Sequence, residues 1–163
     1  MAVREIRLFG DPVLRSACDP ARPGDARVAS LVADLLDTVR VPGRAGLAAN
    51  QIGVLTRAFS YNVDDSVGYI LNPRLTRLEG AVQAVDEGCL SVPGFYFPRE
   101  RYSFAEVTGN DLDGHEVVLS GTGLMAQALQ HETDHLDGHL FIEGLQPEAK
   151  RDAMRLLRAA AWF

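Results

Sequence analysis

Between residues 25 and 40, apolar side chains return at three- and four-residue steps as Val28, Leu31, Val32, Leu35, Leu36 and Val39. That period predicts an amphipathic helix, introduced by Gly24 and ended before Pro42. From 56 to 120 the pattern shortens into RAFSYN, GYILNP, AVQAV, YSFAEVTG and HEVVLSG, divided by turn signals such as Val63-Asp64-Asp65 and Asp113-Gly114. These pieces predict antiparallel strands. The run TGLMAQALQHETDHL, from 122 to 136, has no Gly or Pro after Gly123 and opens on a threonine able to cap, so it predicts a helix ending at Gly138. After Pro147, which suits a first helical turn, Ala149, Ala153, Leu156, Leu157 and Ala160 form one stripe and Arg151, Arg155 and Arg158 another. The whole predicts one α+β domain over 1–163: antiparallel β-sheets packed around a central helix, with an N-terminal amphipathic helix and a C-terminal helix.

Composition narrows the function classes. At 163 residues and 47% hydrophobic content, the chain is the size of one ordinary domain and can bury roughly two-thirds of its unfolded surface. A net charge of -6 argues against a wholly basic nucleic-acid binder, so DNA is not an expected partner, and an RNA partner would need a local basic patch. No apolar run approaches 18 residues, and MAVREIRLFG carries charges at Arg4, Glu5 and Arg7 where a signal peptide would be apolar. The expected location is the cytoplasm, off the membrane, where Cys18 and Cys89 would be reduced thiols available as ligands. Fifteen of the sixteen basic residues are arginine and only Lys150 is lysine, a bias without mechanistic content.

The chemistry concentrates in HETDHLDGHL, residues 131–140. Residues four apart share a helix face, so His131 and His135 can present two imidazoles to one ion while Glu132 sits beside it as a base. The third ligand is less obvious. His139 continues the four-residue series, but at about 1.5 Å per residue it would stand roughly 12 Å from His131, against metal–nitrogen bonds of about 2 Å. Phe141 stands where the extended metzincin pattern requires histidine. Glu143 and Glu148 are candidate carboxylate ligands of a thermolysin-like site, although only 28 residues follow His135. His115, after an Asp-Gly turn, reads as a solvated turn residue. Cys89, in DEGCLSVPG, would bind a divalent metal well as a thiolate, or pack as a small buried hydrophobe, the reading that also suits Cys18.

Three separated motifs, GLAANQIG at 46–53, EGCLSVPG at 87–94 and QHETDHLDGHLF at 130–141, together with GDPVLR at 10–15, resemble the peptide deformylases, which remove the N-formyl group from newly made bacterial proteins. The resemblance spans most of the chain. It implies that Cys89, His131 and His135 ligate one divalent metal, with iron(II) the expected ion in the cell and zinc, nickel or cobalt as substitutes. It also implies that the Gln51 side-chain amide and the Leu90 N–H donate to the developing oxyanion, and that Glu132 moves the proton from water to the departing amine. Three protein ligands leave a position open for water and lower its pKa towards neutrality. A thiolate ligand offsets one unit of metal charge, so such a site leans more on its oxyanion donors. The implied substrates are N-formylmethionyl nascent peptides.

Around that centre, Gly46 would let backbone approach an extended substrate, and Glu87 with Arg99 resembles the family's ion pair supporting the cysteine loop. Leu124, Gln127 and Ala128 precede His131 by seven, four and three residues, share its helix face, and should line the cavity for the methionine side chain together with Ala45. Arg44 stands where the family often has glycine, Gln127 where it tends to carry an apolar residue, and Ala45 is smaller than its usual counterpart. A wider or more polar pocket follows, with methionine still preferred but less strictly. The basic face of the terminal helix is a docking surface for the ribosome on this reading, and the protein is expected to be a monomer. A small metalloprotease would use the same helix but cut internal peptide bonds, and a binding protein would have no need of Glu132.

Overall fold

The computed structural model describes residues 2–163. Helix α1 (Ala26–Val39) begins where the Asp25 side chain accepts from the Arg27 N–H at 2.8 Å, an N-cap that relieves one of the first-turn donors. Its apolar stripe, Val28, Leu31, Val32, Leu35 and Val39, is buried against Leu47, Ile52, Ala58 and Leu71. Each such side chain contributes about 1.5–3 kcal/mol when fully removed from water. The stripe predicted from the period of three and four is the face that packs.

Five strands follow in one antiparallel sheet of order β1-β2-β3-β4-β5: β1 (Gly46–Ala48), β2 (Ala58–Val63), β3 (Ser66–Cys89), β4 (Val92–Asn110) and β5 (Glu116–Thr122). Between β2 and β3 the chain reverses through Asp64 and Asp65 at φ 50° and 63°, with Val63 paired to Ser66. Two consecutive left-handed residues are what a type I′ hairpin requires, and aspartate tolerates them. The pieces GYILNP and AVQAV are not separate strands. Both lie in β3, which crosses the signals at Pro73 and Gly80 as bulges, with register shifts at Leu71/Arg74 and Glu79/Val82. Gly80 sits at φ 78°, so the extra residue is accommodated without ending the ladder.

Helix α2 (Gly123–Leu136) carries the His-Glu-x-x-His motif. Thr122 occupies its N-cap, but the hydroxyl makes no capping bond, so the start is set by the sheet ahead of it. Its end is held by other elements: Asn50 Nδ2 donates to the His135 carbonyl at 2.6 Å, and the Cys18 N–H to that of Leu136 at 2.9 Å. The second satisfies a carbonyl that a helix terminus leaves without an intrahelical donor, and the first adds to the Gly138 N–H already on the His135 carbonyl at 3.0 Å. One flank packs Ala126, Leu129 and Leu136 against Phe59, Ile70, Ala105 and Val107 of the sheet. Helix α3 (Pro147–Arg158) buries Ala153 and Leu157 in a third cluster with Leu14, Val92, Phe97 and Phe141. Leu156, expected in that stripe, is 41% exposed. Among the described residues, no helix is long and apolar enough to cross a membrane.

Candidate active site

Three polar side chains from two distant segments converge. His131 and His135 stand one turn apart on α2 with their Nε2 atoms 3.2 Å apart, and Cys89, at the end of β3, places Sγ 3.2 Å from His135 Nε2. Their ligating atoms all lie within 4.8 Å of one another. Two nitrogens each about 2.0–2.1 Å from one tetrahedral ion are separated by roughly 3.3 Å, so the histidine pair is already spaced for a shared metal. The donor set of one sulfur and two imidazole nitrogens suits iron, zinc, nickel or cobalt and excludes the oxygen-seeking magnesium and calcium.

The imidazoles are oriented for that role. His131 Nδ1 donates to Glu87 Oε1 at 2.7 Å, which leaves Nε2 as the lone-pair atom facing its partner. Burial holds His135 well below the usual imidazole range, in the neutral form a ligand requires. Its Nδ1 has no protein partner among the described residues, and the ring is kept in place by packing, edge-on to His131 at 4.8 Å between centroids.

Glu87 is fully buried against His131 and does not line the cavity. Burial alone would raise its carboxyl, but hydrogen bonds from Arg101 and His131 outweigh that cost and bring it down to about 2. The expected pairing with Arg99 is not formed. Arg101 donates to both Glu87 oxygens at 2.9 and 2.6 Å and to Asp134 of α2 at 2.7 Å, while Arg99 turns to the Gly144 carbonyl at 2.9 Å. Arg99 and Arg101 alternate onto the same face of β4, and the one flanked by two carboxylates is the one drawn inward. Arg101 and Asp134 were missed in the sequence; the signal available was Asp134 three residues after His131 on the same helix face.

Glu132 is buried beside this cluster with Oε2 unpaired, and burial pushes its carboxyl up to about 7, against the pull of His131. Gly46 makes room for it, since a Cβ there would lie 2.8 Å from Glu132 Cδ. Gln51 is also buried. Its Oε1 accepts from the Ala48 N–H at 2.9 Å, which aims Nε2 at Ser91 Oγ (3.2 Å) and Cys89 Sγ (3.5 Å). Leu90 occupies the turn joining β3 to β4, directly after Cys89.

A cavity of about 470 Å³ opens onto these groups. Ala45, Gly46, Leu90, Leu124, Gln127 and Ala128 all line it, together with Val92, Pro93, Phe95 and Tyr96. Arg44 lines it too, but its guanidinium donates to the Thr38 carbonyl at 2.9 Å. The other candidate ligands lie elsewhere: His139 pairs with Glu143 at 3.1 Å, Glu148 is exposed in the first turn of α3, and His115 bonds Asp111 at 3.3 Å on the surface. Cys18 is buried in the core.

The chain matches the family model for polypeptide deformylase over residues 3–151. It is 49% identical over 162 residues to the peptide deformylase of Acidothermus cellulolyticus, spanning 99% of this chain and 89% of that one. Peptide deformylase 1 of Corynebacterium glutamicum is 44% identical over 167 residues, spanning 100% and 99%. Among solved structures, the peptide deformylase of Legionella pneumophila superposes with a TM-score of 0.88 at 35% identity, covering 97% of this chain and 95% of that one. That of Thermus thermophilus gives 0.87 at 39% identity, covering 96% and 94%. Full-length relatives approaching half identity agree with the site's own geometry, and the chain belongs to the polypeptide deformylase family.

Proposed function

We propose that this chain removes the N-formyl group from the formylmethionine that begins newly made polypeptides, releasing formate and a free amine. The observation that carries this reading is the convergence of Cys89, His131 and His135 beside the buried Glu132 at the base of an open cavity. Hydrolysis of an amide needs a nucleophile generated near neutral pH, a base that becomes an acid, and stabilisation of the oxyanion. A divalent metal on Cys89, His131 and His135, iron(II) in the cell with zinc, nickel or cobalt able to replace it, supplies Lewis acidity when bound.

The remaining work falls to this chain's own residues. Glu132, with a carboxyl near 7, is matched to taking a proton from water and returning it to the leaving amine at physiological pH. Gln51 is held by the Ala48 N–H so that its amide faces the reacting centre, and with the Leu90 N–H it donates to the oxyanion. The edge of β1 opposite β2 is unpaired in the sheet, and an extended peptide can add to it beside Gly46. Its first side chain then enters the space bounded by Ala45, Leu124, Gln127 and Ala128. Glu87 and Arg101 act through His131 and do not touch substrate.

The same proposal takes the whole of 1–163 as one catalytic domain, monomeric and cytoplasmic. It extends to ribosome docking through α3, where Arg151, Arg155 and Arg158 are exposed, with Asp152 3.6 Å from Arg155. Charge reversal at the three arginines should weaken co-sedimentation with ribosomes, and unchanged binding would remove that extension. The central test is formate release from formyl-Met-Ala-Ser by protein of known metal content. Release by the wild type, lost in Glu132→Ala with metal retained and in Cys89→Ala with metal depleted, is the expected result. Cleavage of internal peptide bonds without formate release would favour a metalloprotease instead.

A further inference from the structure

The first-residue pocket contains an amide that the protein does not use. In the turn of α2 before His131, Leu124, Gln127 and Ala128 face the cavity, and Gln127 is the polar one. The neighbouring buried glutamines have protein partners: Gln51 bonds Ala48 and Ser91, and Gln130 bonds Tyr102 and Ala126. Among the described residues, no hydrogen bond holds the Gln127 side chain. It is also placed at a junction. Leu124 and Gln127 line a second cavity of about 400 Å³, whose other walls include Gln83, Ser103 and Thr122. The end of a long first side chain can therefore meet an amide donor that no protein group occupies, at the junction with the second cavity.

A thioether sulfur is a weak acceptor and gains little from such a donor. A sulfoxide oxygen is a strong one, and an amide donor on the cavity wall stabilises it there by the worth of one hydrogen bond. Resting on the deformylase reading above, we infer that Gln127 admits formyl peptides whose first methionine is oxidised to the sulfoxide, by donating from Nε2 to the sulfoxide oxygen. The sulfoxide is chiral and the amide approaches from one wall, so one epimer is favoured over the other.

The test compares kcat/KM for formyl-Met-Ala-Ser with that for each purified epimer of its methionine sulfoxide form, in metal-matched wild type, Gln127→Leu and Gln127→Met. The wild type should process one epimer within about fivefold of the thioether peptide, and the sulfoxide-to-thioether ratio should fall about tenfold in both variants, the loss of one hydrogen bond. Rejection of both epimers by a wild type that turns over the thioether peptide overturns this inference alone, as does a ratio unchanged in the variants. Failure to turn over the thioether peptide overturns the deformylase reading and this inference with it.

Discussion

A Cβ on Gly46 would fall 2.8 Å from the Cδ of Glu132 and closer still to its Oε1. The glycine of β1 and the carboxylate of α2 thus share a space that no other residue type leaves free. Gly46→Ala should displace the Glu132 carboxylate and lower kcat by about 10²-fold or more, the scale of a misplaced general base. Metal content and the urea midpoint should be nearly unchanged, because Gly46 does not have the positive φ that would strain an alanine. Near-wild-type formate release by this variant would show that Glu132 has room to move without loss.

Arg101 neutralises a carboxylate that has no exposure to water. Arg101→Ala should destabilise the fold by about 3–5 kcal/mol, since Glu87 is left as a buried charge with no guanidinium beside it and only the His131 hydrogen bond. It should also weaken metal retention against a chelator by about 10–100-fold, because Glu87 orients His131. Arg99→Ala removes a bond to the Gly144 carbonyl and should cost only about 1 kcal/mol. Equal effects of the two substitutions in urea unfolding would contradict the pairing.

Burial pushes the Cys18 thiol up to about 11 from an ordinary 9.0. The folded state therefore keeps a proton that the unfolded state loses between those values, and the thiol's contribution to stability is whole below pH 9 and declines as pH rises towards 11. Urea midpoints of wild type and Cys18→Ala should converge or cross as pH goes from 8 to 10.5. Peptide mapping after alkylation of intact protein at pH 8 should find Cys18 nearly unmodified, with about one thiol in a thousand ionised. Rapid labelling without unfolding would show the site to be open.

The His135 carbonyl is fastened from outside its helix by Asn50 Nδ2 at 2.6 Å. Asn50→Leu leaves that buried carbonyl with only the N–H groups of its own helix end, Gly138 at 3.0 Å among them, and should lower stability by about 1 kcal/mol. Metal affinity should fall with it, because the bond secures the backbone of a residue proposed as a ligand. A midpoint shift with metal affinity intact would confine Asn50 to holding the helix end.

The helices were legible because their causes are local. The stripe from Val28 to Val39 and the four-residue spacing of His131 and His135 are properties of one turn and the next, and α1 and α2 follow them. The strands are less legible: GYILNP and AVQAV read as separate pieces, and pairing with β4 joins them into one long strand with bulges near Pro73 and Gly80. Thr122 shows the same override, standing at the N-cap without using its hydroxyl because the sheet already sets the start of α2.

By itself the sequence determined the helix-borne pair of imidazoles, the glutamate between them, and a motif resemblance strong enough to nominate Cys89 as their partner. Only the tertiary structure decided what holds those groups: Cys89 meets His135 across 46 residues of chain, and Glu87 meets His131 across 44. The choice of Arg101 over Arg99, two residues away on the same face, depended on where Asp134 lies once α2 packs on the sheet. Helical periodicity repeats every few residues and can be read along the chain. The balance of buried charge depends on which distant segments the fold brings within about 3 Å, and no local pattern records that distance.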